Sequence, residues 1–126
     1  MKNLLFIPLL LISCLCFAQD AKEIIGKPIK IGNLLVAEND FPDGMNWRGA
    51  QKACAKLGKG WRLPTKDELN VMYKNKDNIN RGFDISLYWS STEYGSSLAW
   101  SQNFANGGQY HSNKNATVYV RAVRAF

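Results

Sequence analysis

The sequence predicts an α+β domain, with helices in its first half and strands joined by loops in its second. Three observations carry this. Trp47, Ala50, Cys54 and Leu57 recur at three- and four-residue spacing between Asn46 and Gly58, which is the period of an amphipathic helix. Thr65 stands three residues before Glu68, the spacing of a capping box at a second helix start. Beyond Leu87 the helical period vanishes, and the chain turns rich in Ser, Gly and Asn with Trp and Tyr interleaved.

Taken in order, residues 1–18 are expected to be a secretory signal peptide. Lys2 is a short basic start, Leu4 to Leu11 is apolar apart from Pro8, and Ala18 is a small residue at the expected cut. The segment is too short to span a membrane stably. The alternative is a lipoprotein anchored through Cys14, because Leu11-Ile12-Ser13-Cys14 matches a lipobox. Cleavage after Ala18 leaves 108 residues, enough for one core and one domain over 28–126, behind a flexible N-terminal segment at 19–27. It also removes Cys14 and Cys16, so Cys54 is left without an internal partner and is expected to be buried and inert.

Ile29 to Ala37 reads as one or two strands broken by Gly32-Asn33. Asn46 caps a helix from about Trp47 to Leu57, and Gly58 ends it. Trp61 and Leu63 alternate with Arg62, so the two apolar residues turn inward and Arg62 is left to pair with a carboxylate or with carbonyls. The second helix runs from about Lys66 to Tyr73, and residues 74–86 read as an irregular connection. Strands are expected over Tyr88–Thr92, Ala99–Phe104 and Thr117–Arg124, with Asn106-Gly107-Gly108 as a turn.

Three pieces in this order, Trp61-Arg62-Leu63-Pro64-Thr65-Lys66-Asp67-Glu68-Leu69, Tyr88-Trp89-Ser90-Ser91-Thr92-Glu93-Tyr94 and Val120-Arg121-Ala122-Val123-Arg124, resemble a family of bacterial exported domains. The chain is similar to the C-terminal domain of the collagen-like adhesin Lcl and to the Fibrobacter major paralogous domains, over roughly residues 45–126. The resemblance implies a C-type-lectin-like fold: two helices on short antiparallel sheets, chain ends close together, and a long loop region on one side. It also implies a disulfide from the first helix to the last motif. Here Cys54 keeps the helix position and Ala122 stands at the other, so the clamp is absent and the core must hold the domain alone.

The chemistry argues for binding rather than catalysis. His111 is the single histidine, Ser90 and Ser91 have no base near them in sequence, and Glu68 is explained by its helix cap. No metal site or cofactor is expected. Asp84, Glu93, Asn103 and Asn106 offer oxygens, but the lectin triplets that ligate calcium and sugar together do not occur. The candidate ligand-binding residues are Glu93, Tyr94, Asn106, Gln109, Tyr110 and His111, in a segment, 93–113, expected to be loop-rich. Rings stack on apolar sugar faces and carboxamides bond hydroxyls. Trp89, Trp100 and Phe104 are expected in the core. A second surface is the basic stripe Arg48, Lys52, Lys56 and Lys59 on the first helix, suited to polyanions. The net charge of +6 is ordinary for solubility. Nucleic acid is not expected as a partner, since no zinc spacing or RNA-binding motif appears. A glycan or a surface protein is, the alternative being a structural or envelope-associated module without a small ligand.

Overall fold

The computed structural model describes residues 20–79 and 82–126. The expected signal peptide, with Cys14 and Cys16, lies outside the described residues. Residues 20–25 are helical (α1), which corrects the expectation of a flexible lead-in. Ala21, Ile24 and Ile25 pack against the core, and the backbone N–H groups of Glu38 and Asn39 donate to the carbonyls of Ile25 and Ile24. A polar-looking segment with three well-spaced apolar residues is held by tertiary contact rather than by its own propensity.

Strands β1 (Ile29–Ile31) and β2 (Leu34–Val36) form a hairpin across Gly32-Asn33, with Gly32 at φ 58°. Helix α2 runs Trp47–Lys56, and the side chain of Asn46 accepts from the N–H of Gly49. Its inner face is the expected one, with Trp47, Ala50 and Cys54 buried. A two-residue strand β3 (Trp61–Arg62) leads to α3 (Lys66–Lys74), which opens on the complete capping box of Thr65 and Glu68. A single 3₁₀ turn at Lys76–Asn78 follows, and then come β4 (Leu87–Glu93), β5 (Leu98–Asn103), β6 (Gln109–Asn113) and β7 (Val123–Ala125).

The strands form two antiparallel sheets, ordered β1-β2-β7-β3 and β4-β5-β6. β2 pairs with β7 through Leu34↔Ala125 and Val36↔Val123, which brings the first strands and the last into one sheet. The expected strand at Thr117–Arg124 is mostly not one. Val118 bridges Met45 and Tyr119 bridges Tyr88, and ladder pairing resumes only at Val123. Just before β7, the buried Arg121 reaches Asp40 and the carbonyls of Ala37 and Gly82, while the carbonyls of Val120 and Ala122 accept from Phe41 and Ala37 N–H.

Two apolar clusters fill the interior. One gathers Trp47, Ala50, Cys54, Trp61, Leu63, Trp89, Val120 and Ala122 between α2 and the sheets. The other gathers Val36, Leu69, Met72, Tyr88, Phe104 and Val123 under α3. Cys54 and Ala122 belong to the same cluster, and burial pushes the Cys54 thiol up to about 12. Trp89 and Phe104 are core residues as expected, whereas Trp100 is half-buried on an outer surface. The chain is an α+β, C-type-lectin-like domain, with its second sheet leaving one face partly uncovered.

Candidate functional site

That uncovered face is built by register. Trp100 pairs with His111 and Gln102 with Gln109, so side chains of these four project to one side of the β4-β5-β6 sheet. Helix α3 covers the Gln102 end: Gln102 donates to Asn70 Oδ1 at 3.0 Å, and Gln109 donates to the carbonyl of Lys66 at 3.0 Å. Beyond the helix N-terminus, Tyr94, Trp100 and His111 stand together. Tyr94 and His111 stack with centroids 3.7 Å apart and planes 9° apart. Trp100 meets His111 edge-on at 4.3 Å and Tyr94 at 5.5 Å. The ammonium of Lys66 lies 3.6 Å from the centre of the Trp100 ring, a cation–π contact worth about 0.5–1 kcal/mol at an exposed site.

The β4–β5 turn fixes this cluster. Tyr94 N–H donates to the Leu98 carbonyl at 2.8 Å, and Gly95 takes φ 88°, where a side chain would be strained. Lys114 holds the turn from below. Its ammonium donates to Glu93 Oε2 at 3.0 Å and to the carbonyls of Gly95 and Ser96 at 3.2 and 3.1 Å, and it lies 4.5 Å from the centre of the Trp47 ring. Its side chain is only 8% exposed, so each ammonium proton is matched by an acceptor, as burial of a charge requires.

The residues expected to form one site are therefore divided. Tyr94 and His111 meet, and Trp100, expected in the core, joins them. Glu93 is engaged by Lys114. Asn106 is turned inward on its own hairpin, where its Oδ1 accepts from the N–H of Gly108 at 2.8 Å. Gln109 is tied under α3. Tyr110 pairs with Ser101, so it lies on the opposite face of the sheet, 48% exposed. The loop-rich expectation for 93–113 is also corrected, since β5 and β6 occupy most of it. Period-two alternation over Leu98–Asn103 was the signal that separates Trp100 from Ala99 and Ser101.

The basic stripe is exposed: Arg48, Lys52, Lys56 and Lys59 all face solvent, and none enters the ion pairs found among the described residues. Lys52 and Lys56 edge a groove of about 360 Å³ whose other wall includes Ile24, Phe41 and Asp20. Among the described residues, no three His, Cys, Asp or Glu side chains cluster as a cation site would need. Ser90 is buried, and its hydroxyl donates to the Trp100 carbonyl at 2.7 Å.

The remaining charged groups serve the framework. Arg121 is 2% exposed, and donates to Asp40 Oδ1 at 2.7 Å and to the carbonyls of Ala37 and Gly82 at 3.2 and 2.6 Å. Asp40 also accepts from the Tyr88 hydroxyl at 2.7 Å, and burial, then this bond, raises the Tyr88 phenol. The neighbouring Asp84 carboxylate raises that of Tyr119. Arg62 forks onto Glu68 at 2.6 and 2.9 Å. That hydrogen bond holds the Glu68 carboxyl below its usual range and raises Arg62. Arg62 thus pairs with a carboxylate, one of the two roles its place between Trp61 and Leu63 suggested, and Arg121 binds a carboxylate and two carbonyls together.

Comparison with known proteins agrees with this architecture. Solved structures similar to the chain include EMS16, an antagonist of the collagen receptor integrin α2β1, at TM-score 0.59 and 11% identity, covering 79% of this chain and 97% of that one. Botrocetin matches at TM-score 0.53 and 12% identity, covering 80% and 96%. The snake venom toxin convulxin matches at TM-score 0.54 and 12% identity, covering 80% and 95%. At such identities the likeness is one of fold. No curated protein matches the sequence. The model of the Lcl C-terminal domain matches residues 21–124, nearly the whole described chain and α1 with it. The capping box, the Arg62 fork, the Trp89 core and the Arg121 clamp are the features this match spans, and the chain belongs to the Lcl C-terminal domain family.

Proposed function

We propose that this is an exported, non-enzymatic binding domain whose partner is a glycan or a surface protein, engaged through the Tyr94–Trp100–His111 cluster. The observation that carries the reading is the cluster itself. Three rings are held on a rigid sheet face, beside a lysine and outside both cores. Rings of this kind stack on the apolar C–H faces of sugars or fill a partner's pocket, and a rigid scaffold lowers the ordering cost. EMS16 antagonises a protein receptor, the collagen receptor integrin α2β1, which favours keeping a surface protein beside a glycan.

The basic stripe Arg48, Lys52, Lys56 and Lys59 supports a second reading, a polyanion-binding face, because its charges are exposed and unengaged among the described residues. A glycan array and a surface-protein pull-down, each with and without calcium, test both. Trp100→Ala should weaken binding about tenfold or more, as loss of a central aromatic anchor does, with little dependence on salt. If only charge reversal at Lys52 and Lys56 matters, and binding falls steeply with salt, the ring cluster is not the site.

A further inference from the structure

The β4-β5-β6 sheet has two edges, and the chain treats them differently. The β4 edge is covered. Trp89 N–H donates to the Tyr119 carbonyl, Tyr119 N–H to Leu87, and Ser91 N–H to Pro64, at 2.8–3.0 Å. Among the described residues, the β6 edge has no such cover. The bonds from Asn103 N–H to Gly108 and from Lys114 N–H to Ser97 fix the ladder phase at its two ends. Antiparallel pairs alternate between bonded and non-bonded, so Tyr110 and Ser112 turn their backbone groups toward β5. Gln109, His111 and Asn113 turn theirs outward. The Asn113 carbonyl is taken by the N–H of Ala116 at 2.8 Å, and the others find no intramolecular partner among the described residues.

Bare edges are normally blunted by Lys, Pro, a bulge or shortness. β1 is three residues long and carries exposed Lys30, and β3 has two residues. β6 has five, Gln109-Tyr110-His111-Ser112-Asn113, without proline or any charged Lys, Arg, Asp or Glu side chain. We propose that β6 pairs antiparallel with β6 of a second copy of this chain, about a twofold axis at His111. A strand meeting itself brings each residue opposite its mirror position, Gln109 against Asn113 and His111 against His111. With no Lys, Arg, Asp or Glu on the strand, none of these charges is set against its like. The two His111 residues exchange both backbone bonds, and each Asn113 N–H reaches a Gln109 carbonyl. The two ring clusters then join on one face of a continuous six-stranded sheet, a consequence independent of what ligand they hold.

Cysteine cross-linking and sedimentation on the full chain test this. Bonded antiparallel partners stand about 5.5 Å apart at Cα, within disulfide reach. His111→Cys should therefore oxidise rapidly to a covalent dimer. Tyr110→Cys faces Ser112 rather than itself, and should cross-link about tenfold more slowly, although exposed. Sedimentation equilibrium should show a concentration-dependent dimer that His111→Pro abolishes, while its circular dichroism stays native, because the His111 N–H serves no bond within the sheet. A monomer at every concentration would overturn the proposal and leave the edge to a strand of another protein. Equal cross-linking at both cysteine positions would overturn it too.

Discussion

Replacing Glu68 measures how much the start of α3 rests on one carboxylate. Glu68 accepts two bonds from Arg62, at 2.6 and 2.9 Å, and one from the N–H of Thr65 at 2.8 Å. The Arg62 and Glu68 side chains are 40% and 28% exposed, so solvent screens the ion pair and its share is about 0.2–1 kcal/mol. The bond to Thr65 adds about 0.5–1.5 kcal/mol. Glu68→Ala should thus cost about 1–2 kcal/mol, a fall in Tm of roughly 5–10 °C for a domain of this size. Glu68→Gln keeps an acceptor for Thr65 and loses the charge, so it should cost about half as much. The pH dependence follows from the lowered carboxyl. A depressed folded value contributes stability that is present above the unfolded value, about 4.3, and is lost as pH falls through the folded one. Urea unfolding at pH 7 and at pH 3 reads both effects. The gap between wild type and Glu68→Gln should narrow from pH 7 to pH 3, and the gap to Glu68→Ala should remain in part. If Gln costs as much as Ala at pH 7, or if its deficit persists unchanged in acid, the carboxylate is not what secures this helix.

Thr65→Ala removes the other half of the box and should cost about 0.5–2 kcal/mol by thermal melting, leaving ligand binding otherwise intact. Cys54, buried with its thiol pushed up to about 12, should react with thiol reagents only at the rate of unfolding, and Ala122→Cys should close a bridge to it, read as a higher Tm under oxidising conditions. Arg121→Met should cost about 3–5 kcal/mol by chemical denaturation, since it strands Asp40 and two carbonyls. Lys114→Met should weaken ligand binding while sparing α3, detected as faster amide exchange confined to the Gly95–Ser97 turn. In any binding assay Tyr110→Ala should matter far less than Trp100→Ala, because the two rings lie on opposite faces of the sheet.

What the sequence determined by itself is local. The helix bounds at Asn46 and Thr65, the inner face of α2, the burial of Trp61 and Leu63 around Arg62, and the turns at Gly32 and Gly107 follow from caps, periods and backbone freedom within a few residues. The order of its motifs also pointed to the family. Tertiary structure decided the rest. Residues 20–25 became helical because a core was there to receive Ile24, and the expected last strand gave way to three residues of β7 preceded by an Arg121 that draws its acceptors from distant segments. Trp100 left the core and Tyr110 left the candidate site for one reason: strand register places alternate residues on opposite faces, and which face α3 covers depends on contacts from Gln102 and Gln109 to residues more than thirty positions away. Side-chain type along a strand can say that a ring is present, but only the packing of the helix across the sheet decides whether that ring is core or surface.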